Sequence, residues 1–254
     1  MSVGAVIVIC LVGFASNFVG VVTGGSGILM TASMLWFGMG EHAAVANTRF
    51  SVLGTDVASI IAFHRAGRIR YRIALPLAAV SVVAAVGVAQ LLPSISREAL
   101  RQLIGATVLL MVAVTLAFPR IGAEAGRERG GWKIWVAGAF LIFVATALST
   151  VAGGAAGVLY SYVLVLVFGQ TFLDSAGTRK IVALGLTVGA VPVFVLQGLV
   201  TYEVAVPLLF SNAAGGWLGA RFMIRSGEKA VRWIFLAGVG VIALWLLVSS
   251  WHVR

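Results

Sequence analysis

Apolar residues run in long blocks separated by short polar stretches, at 3–23, 27–38, 43–63, 73–92, 101–118, 134–151, 157–168, 178–197, 204–220 and 232–250. Most of these blocks have the roughly 20 residues that a helix needs to cross a bilayer. Two are too short. Blocks 27–38 and 157–168 would span only about 18 Å as helix, against a hydrocarbon core of about 30 Å. Each short block follows a glycine cluster, Gly24-Gly25-Ser26-Gly27 in one case and Gly153-Gly154-Ala155-Ala156-Gly157 in the other. The pattern predicts an all-α integral membrane protein with a Gly-broken short helix in each half.

The two short blocks occupy matching places in an internal repeat. A shift of 130 residues sets Gly24 on Gly154, Gly27 on Gly157, Thr48 on Thr178 and Arg49 on Arg179. A shift of 131 sets Gly67 on Gly198, Tyr71 on Tyr202, Pro76 on Pro207 and Arg101 on Arg232. Gly and Ala identities are cheap in such a composition; the Tyr, Pro and Arg matches are not. The repeat predicts two halves, 1–130 and 131–254, with about five helical segments each. Interrupted hydrophobic segments in corresponding positions of two halves are the sequence pointer to a transporter binding site.

Composition agrees with the membrane reading. Apolar residues make up 61% of the chain, charged residues 10%, and the mean hydropathy is +1.07. A soluble domain carries about 25% charged residues. The net charge of +10 would suggest nucleic acid in a soluble protein. Here the basic residues sit in short loops, where the positive-inside bias accounts for them and no nucleic-acid partner is needed. The single cysteine, Cys10, lies in an apolar run and can form no internal disulfide. The first block has no basic segment before it and is read as a retained helix, not a signal peptide.

Loop charge also predicts orientation. His64 to Arg72 holds four Arg and no acid, which places it in the cytoplasm. Its repeat partner, Gly198 to Glu203, has no basic residue and reads as external. Pro119 to Lys133, with four basic and two acidic residues, and Arg221 to Arg232, with four and one, read as cytoplasmic. Equivalent loops on opposite sides require inverted halves, an odd number of passes in each, and both termini outside. This holds whether each Gly-broken pair crosses the membrane or dips in and returns. A rival arrangement of eight helices would make the halves parallel.

Three groups of residues carry candidate chemistry. Gly24, Gly25, Ser26 and Gly27, with Gly153, Gly154 and Gly157, open helices whose first turn has unpaired N–H groups and a partial positive charge. A helix N-terminus at membrane depth suits an anion, although small residues also serve close helix packing. Asn47-Thr48-Arg49 and Thr178-Arg179-Lys180 form the second group. A guanidinium fork fits an oxyanion, and the ordinary alternative is an interfacial Arg snorkelling to lipid phosphate. The third is Asp56, the only acid deep in a long apolar run. It can relay a proton in coupled transport, or neutralise an Arg of a neighbouring helix. No His, Cys or acid spacing resembles a metal site, no Walker motif follows Gly-Gly-Ser-Gly, and no nucleophile elbow surrounds Ser26. No catalytic residue and no cofactor is expected.

The order of these features resembles a known family. A glycine-rich first segment, then Ala43-Ala44-Val45-Ala46-Asn47-Thr48, then Gly67-Arg68-Ile69-Arg70-Tyr71-Arg72-Ile73-Ala74-Leu75-Pro76, is similar to the TauE/SafE family of sulfite and sulfonate exporters. The second half repeats the order with Gly153-Gly154, Ser175-Ala176-Gly177-Thr178, Gly198 to Tyr202, Pro207, and Gly215 to Arg221. The resemblance implies a multi-pass permease of a bacterial-type inner membrane. Its substrate would be a small anion such as sulfite or an organosulfur compound, and the glycine clusters and two Thr-Arg pairs would line a central site. The sequence departs from the family in having no proline in Ile28-Leu29-Met30-Thr31, and in placing Ala155 and Ala156 in the second cluster. A carboxylate carrier and a non-transporting membrane scaffold or assembly factor are the competing readings. The partners expected are the anion, the lipid bilayer and, as a permitted assembly, a second copy of the chain.

Overall fold

The computed structural model describes residues 3–100, 102–103, 105–107, 129–152 and 156–250. It consists of α1 (Val3–Thr23), α2 (Ser26–Trp36), α3 (Glu41–Arg65), α4 (Tyr71–Leu91), a 3-10 turn (Leu92–Ser94), α5 (Trp132–Ala152), α6 (Ala156–Leu166), α7 (Phe172–Leu196) and α8 (Tyr202–Ser250). Among the described residues there is no strand. Among the described residues four helical stretches, Gly4–Val22, Tyr71–Ser94, Trp132–Val151 and Phe172–Leu196, are long and apolar enough to cross a membrane. The expected segments 204–220 and 232–250 are one helical run, α8, broken where Gly227 adopts φ 72° and ψ 173°. The expected segment 101–118 and the glycines Gly153 and Gly154 lie outside the described residues, apart from a few positions of the former.

α7 begins six residues before the apolar block that announced it. Thr171 caps it by accepting a hydrogen bond from the Asp174 backbone N–H at 3.2 Å. The polar opening turn is buried because Asp174 receives Arg70 at 2.8 Å and Arg68 at 3.5 Å from the α3–α4 loop. The extension carries Thr178, Arg179 and Lys180 two turns into the helix, away from its end. It also changes the register of the repeat. α3 and α7 each have 25 residues, starting at 41 and 172, so Arg49 shares its helix position with Lys180, and Asp56 with Thr187.

The short helices double back. Asn17 of α1 donates to Met30 Sδ of α2 at 3.0 Å, and Thr146 of α5 meets the Tyr160 hydroxyl of α6 at 2.7 Å. Contacts between residues on either side of each break, six or seven positions out, mean that each short helix folds antiparallel onto the helix before it. Each pair is a helical hairpin and not a continuous span.

Helix packing recurs in exchanged form. α1 packs on α8 and α5 on α4, while α3 packs on α8 and α7 on α4. A Cβ on Gly54 of α3 would overlap the Leu209 carbonyl of α8, and one on Gly185 of α7 would overlap the Ala78 carbonyl of α4. Both pairs are 131 residues apart, helix for helix. Glycine here lets two backbones approach in a medium where helix association rests on close packing. Along α8, Thr55 donates to the Asn212 carbonyl at 3.0 Å and Ser59 to the Gly216 carbonyl at 3.1 Å. α3 and α8 therefore run in the same direction. α3 and α7 run in opposite directions: Gly177 lies against Phe63, and Lys180 and Thr187 lie against Asp56.

Overpacking these contacts is expected to cost about 1–3 kcal/mol each. Gly54→Val and Gly185→Val should therefore each lower the melting temperature of the detergent-solubilised chain, whereas Gly87→Val, at a position with open space, should leave it near wild type. Equal melting temperatures for all three would contradict the packing described.

Candidate functional site

The tips of the two hairpins meet backbone to backbone. Gly24, at φ 84°, lies so close to Gly157 that a Cβ on it would sit 2.5 Å from the Gly157 carbonyl carbon. Only glycine satisfies both the left-handed backbone and the contact. Beside the tips is a cavity of about 40 Å³. Gly20, Gly24, Ser26, Gly27 and Gly157 supply its hairpin side; Arg49, Val52 and Asp56 of α3 and Arg179, Lys180, Ala183 and Thr187 of α7 supply the rest. A cavity of that size holds about one water.

Neither guanidinium snorkels. Arg49 and Arg179 are 4% and 2% exposed. Each reaches the closing turn of the other half's first helix. Arg49 Nη2 donates to the Ser149 carbonyl of α5. Arg179 Nη2 donates to the Val21 carbonyl of α1, and also approaches those of Gly20 and Val22 at 3.5 and 3.3 Å. Carbonyls at a helix C-terminus lack intrahelical partners and carry partial negative charge, so a buried cation belongs there. Arg179 Nη1 completes its set with the Ser161 hydroxyl at 2.6 Å and the Gly157 carbonyl at 3.2 Å. By these partners Arg49 and Arg179 are counterparts, although the helix register pairs Arg49 with Lys180.

Asp56 is fully buried and paired with Lys180 at 3.0 Å, not with an arginine as one sequence reading had it. Thr187 donates to its other oxygen at 3.2 Å. Among the residues facing the cavity there are thus three cations, Arg49, Arg179 and Lys180, and one carboxylate, Asp56. Three minus one leaves two positive charges without a side-chain counter-charge. Two polar atoms nearby are buried with no partner, Arg49 Nε and the Ser149 hydroxyl.

Not every residue singled out in the sequence faces the cavity. Asn47 ties α3 to the α7–α8 loop, donating to the Ala43 carbonyl at 2.7 Å and accepting from the Thr201 N–H at 3.0 Å. Thr48 bonds Thr31 of α2 at 3.1 Å, and Thr178 accepts from the Arg70 N–H at 3.2 Å. Gly25 precedes α2 as its cap residue and does not line the cavity. Sequence reading passed over Thr187, Ser149 and Ser161. Thr187 had a signal, since it lies 131 residues after Asp56; Ser149 and Ser161 are recognisable only once the hairpins are folded.

The sulfite exporter TauE/SafE family profile matches residues 9–246. The chain belongs to this family. Its similarity to individual members is low but extends end to end. It is 23% identical over 246 residues to the probable membrane transporter protein YfcA of Escherichia coli K12, covering 96% of this chain and 90% of that one. A probable membrane transporter protein of Haemophilus influenzae is 22% identical over 224 residues, covering 87% and 86%. The probable membrane transporter protein YdhB of Bacillus subtilis is 22% identical over 218 residues, covering 85% and 88%. No solved structure matches the chain. The chain is accordingly a membrane transporter of the TauE/SafE family, and its family relatives are named as transporters.

The Asp56–Lys180 pair gives a stability test. Lys180→Met strands a buried carboxylate, an effect of about 3–5 kcal/mol, whereas replacing both partners by uncharged groups often restores stability. Lys180→Met should sharply reduce the monodisperse yield in detergent, and Asp56→Asn/Lys180→Met should recover most of it. A double variant no better than the single one would mean the two side chains do not depend on each other.

Proposed function

We propose that the chain is a secondary transporter of a small, compact oxyanion, sulfite or a closely related sulfur anion, in a bacterial-type inner membrane. The observation that carries this reading is the surplus of two positive charges around a small cavity at the junction of the hairpin tips. Buried charge in a membrane is expensive and is retained for substrate or ion handling. Guanidinium groups suit oxyanions because their N–H donors match planar or pyramidal oxygen pairs. Arg49 Nε and the Ser149 hydroxyl add donors that have no protein acceptor. Family membership supports sulfite through the family's own description.

In this reading the anion replaces backbone carbonyls as the partner of Arg49 and Arg179. The cavity admits about one water, so a polyatomic anion enters only when the tips of α1–α2 and α5–α6 separate. Substrate binding and helix movement are then one event, and the two hairpins act as alternating gates. Compact anions are favoured over long-chain carboxylates for the same reason.

We further propose that residues 1–130 and 131–254 are inverted repeats, each with an odd number of passes. The exchanged contacts and the opposed directions of α3 and α7 support this, as do the loop charges. Arg72 and Glu203 hold equivalent places, 131 residues apart. In a Cys10→Ala background, Arg72→Cys should be labelled only from the cytoplasmic side and Glu203→Cys only from outside. Labelling of both from one side would remove the inverted arrangement.

Transport itself is tested in proteoliposomes loaded with sulfite, thiosulfate, a small organosulfonate or acetate. Sulfur oxyanion flux should exceed acetate flux, and Arg49→Gln and Arg179→Gln should each reduce it at least tenfold without lowering the amount of protein inserted. Undiminished flux in both variants would reject the site, and a carboxylate preference would favour the competing substrate reading.

A further inference from the structure

A second cationic cavity, which shares no lining residue with the first, lies between the C-terminal end of α3 and the α8 segment that precedes the Gly227 break. Its volume is about 310 Å³, and Arg65, Arg221, Arg225 and Trp217 line it. Trp217, Arg221 and Arg225 follow at intervals of four, so they stand one above another on a single face of α8. Arg221 lies over the Trp217 ring at 4.5 Å, a cation–π contact that holds the guanidinium in place and leaves its N–H edge available. Among the described residues none of the three arginines forms a salt bridge.

The flanks of this cavity are apolar and exposed. Leu218 and Phe222, on the neighbouring face of α8, are 41% and 42% exposed, in a chain that resides in a membrane. Tryptophan marks the headgroup level of a bilayer, and basic pockets between transmembrane helices on the cytoplasmic side accept anionic headgroups. The cavity adjoins the basic α3–α4 loop through Arg65 and Ala66. We propose that this groove is a binding site for an anionic phospholipid, with the headgroup phosphate held by Arg65, Arg221 and Arg225 and an acyl chain lying along Leu218 and Phe222. A free anion from the aqueous phase would use the arginines alike but would gain nothing from Trp217, Leu218 and Phe222. The site rests on the membrane placement of the chain and not on which anion is transported.

The test is native mass spectrometry of the purified full chain in detergent with added phosphatidylglycerol, cardiolipin or phosphatidylcholine. Each arginine near a membrane surface adds attraction toward anionic lipid, so removing all three should weaken binding by at least about tenfold. The wild-type chain should retain phosphatidylglycerol or cardiolipin over phosphatidylcholine, and Arg65→Gln/Arg221→Gln/Arg225→Gln should lose that preference. Arg225→Gln alone should weaken it measurably, which keeps the test valid if the triple variant does not fold. Arg97→Gln, at the opposite end of the helices, should leave it unchanged. Equal lipid retention by wild type and Arg225→Gln overturns the proposal. So does a wild-type chain that binds inorganic phosphate in phosphatidylcholine nanodiscs yet shows no preference among the lipids.

Discussion

The contact between Gly24 and Gly157 is the constraint on which the rest of the structure depends. Two hairpins, one from each half, meet there with no side chain between them. A methyl group on either residue would push the tips apart. Because the tips meet, the last carbonyls of α1 and the Ser149 carbonyl of α5 come within reach of arginines from the opposite half. The buried cations are in turn tolerable only because those carbonyls are there. Glycine placement and arginine placement are therefore two parts of one arrangement.

That arrangement is electrostatically incomplete. Helix C-termini lend partial negative charge to Arg49 and Arg179, and Asp56 neutralises Lys180. Partial charges do not cancel two full ones. An anion arriving between the tips would supply the missing charge and compete with the carbonyls for the guanidinium N–H groups. The same competition would loosen the cross-links from α3 to α5 and from α7 to α1. In the proposed mechanism binding and opening are coupled through the same two side chains, which is what a carrier requires: its ligand must favour one arrangement of the helices over another.

Much of this was legible in the sequence. The short blocks behind glycine clusters announced the broken helices, and both were found within two residues of their expected bounds. Arg49, Arg179, Lys180 and Asp56 stood out because charge in an apolar run has to be accommodated. The threonines and Asn47 were harder. Their neighbourhood was visible but their direction was not, because a 130-residue register and a 131-residue register differ by about 100° around a helix. The capped, Arg-clamped start of α7 decided which side chains point inward, and that start depends on Asp174 meeting Arg68 and Arg70 across the fold. The hairpin geometry was equally hidden, since a block too short to span reads the same whether it continues or turns back. Loop charge bears on sidedness through insertion and not packing, so the contacts within the fold do not test that expectation.

In the proposed function the anion sits at the junction of the hairpin tips, between Arg49 and Arg179. Selenite is a heavier analogue of sulfite whose position can be located by anomalous scattering in crystals of the chain. One strong peak is expected within hydrogen-bonding distance of both guanidinium groups and beside Gly24 and Gly157. A peak elsewhere, or no peak at saturating selenite, would contradict it.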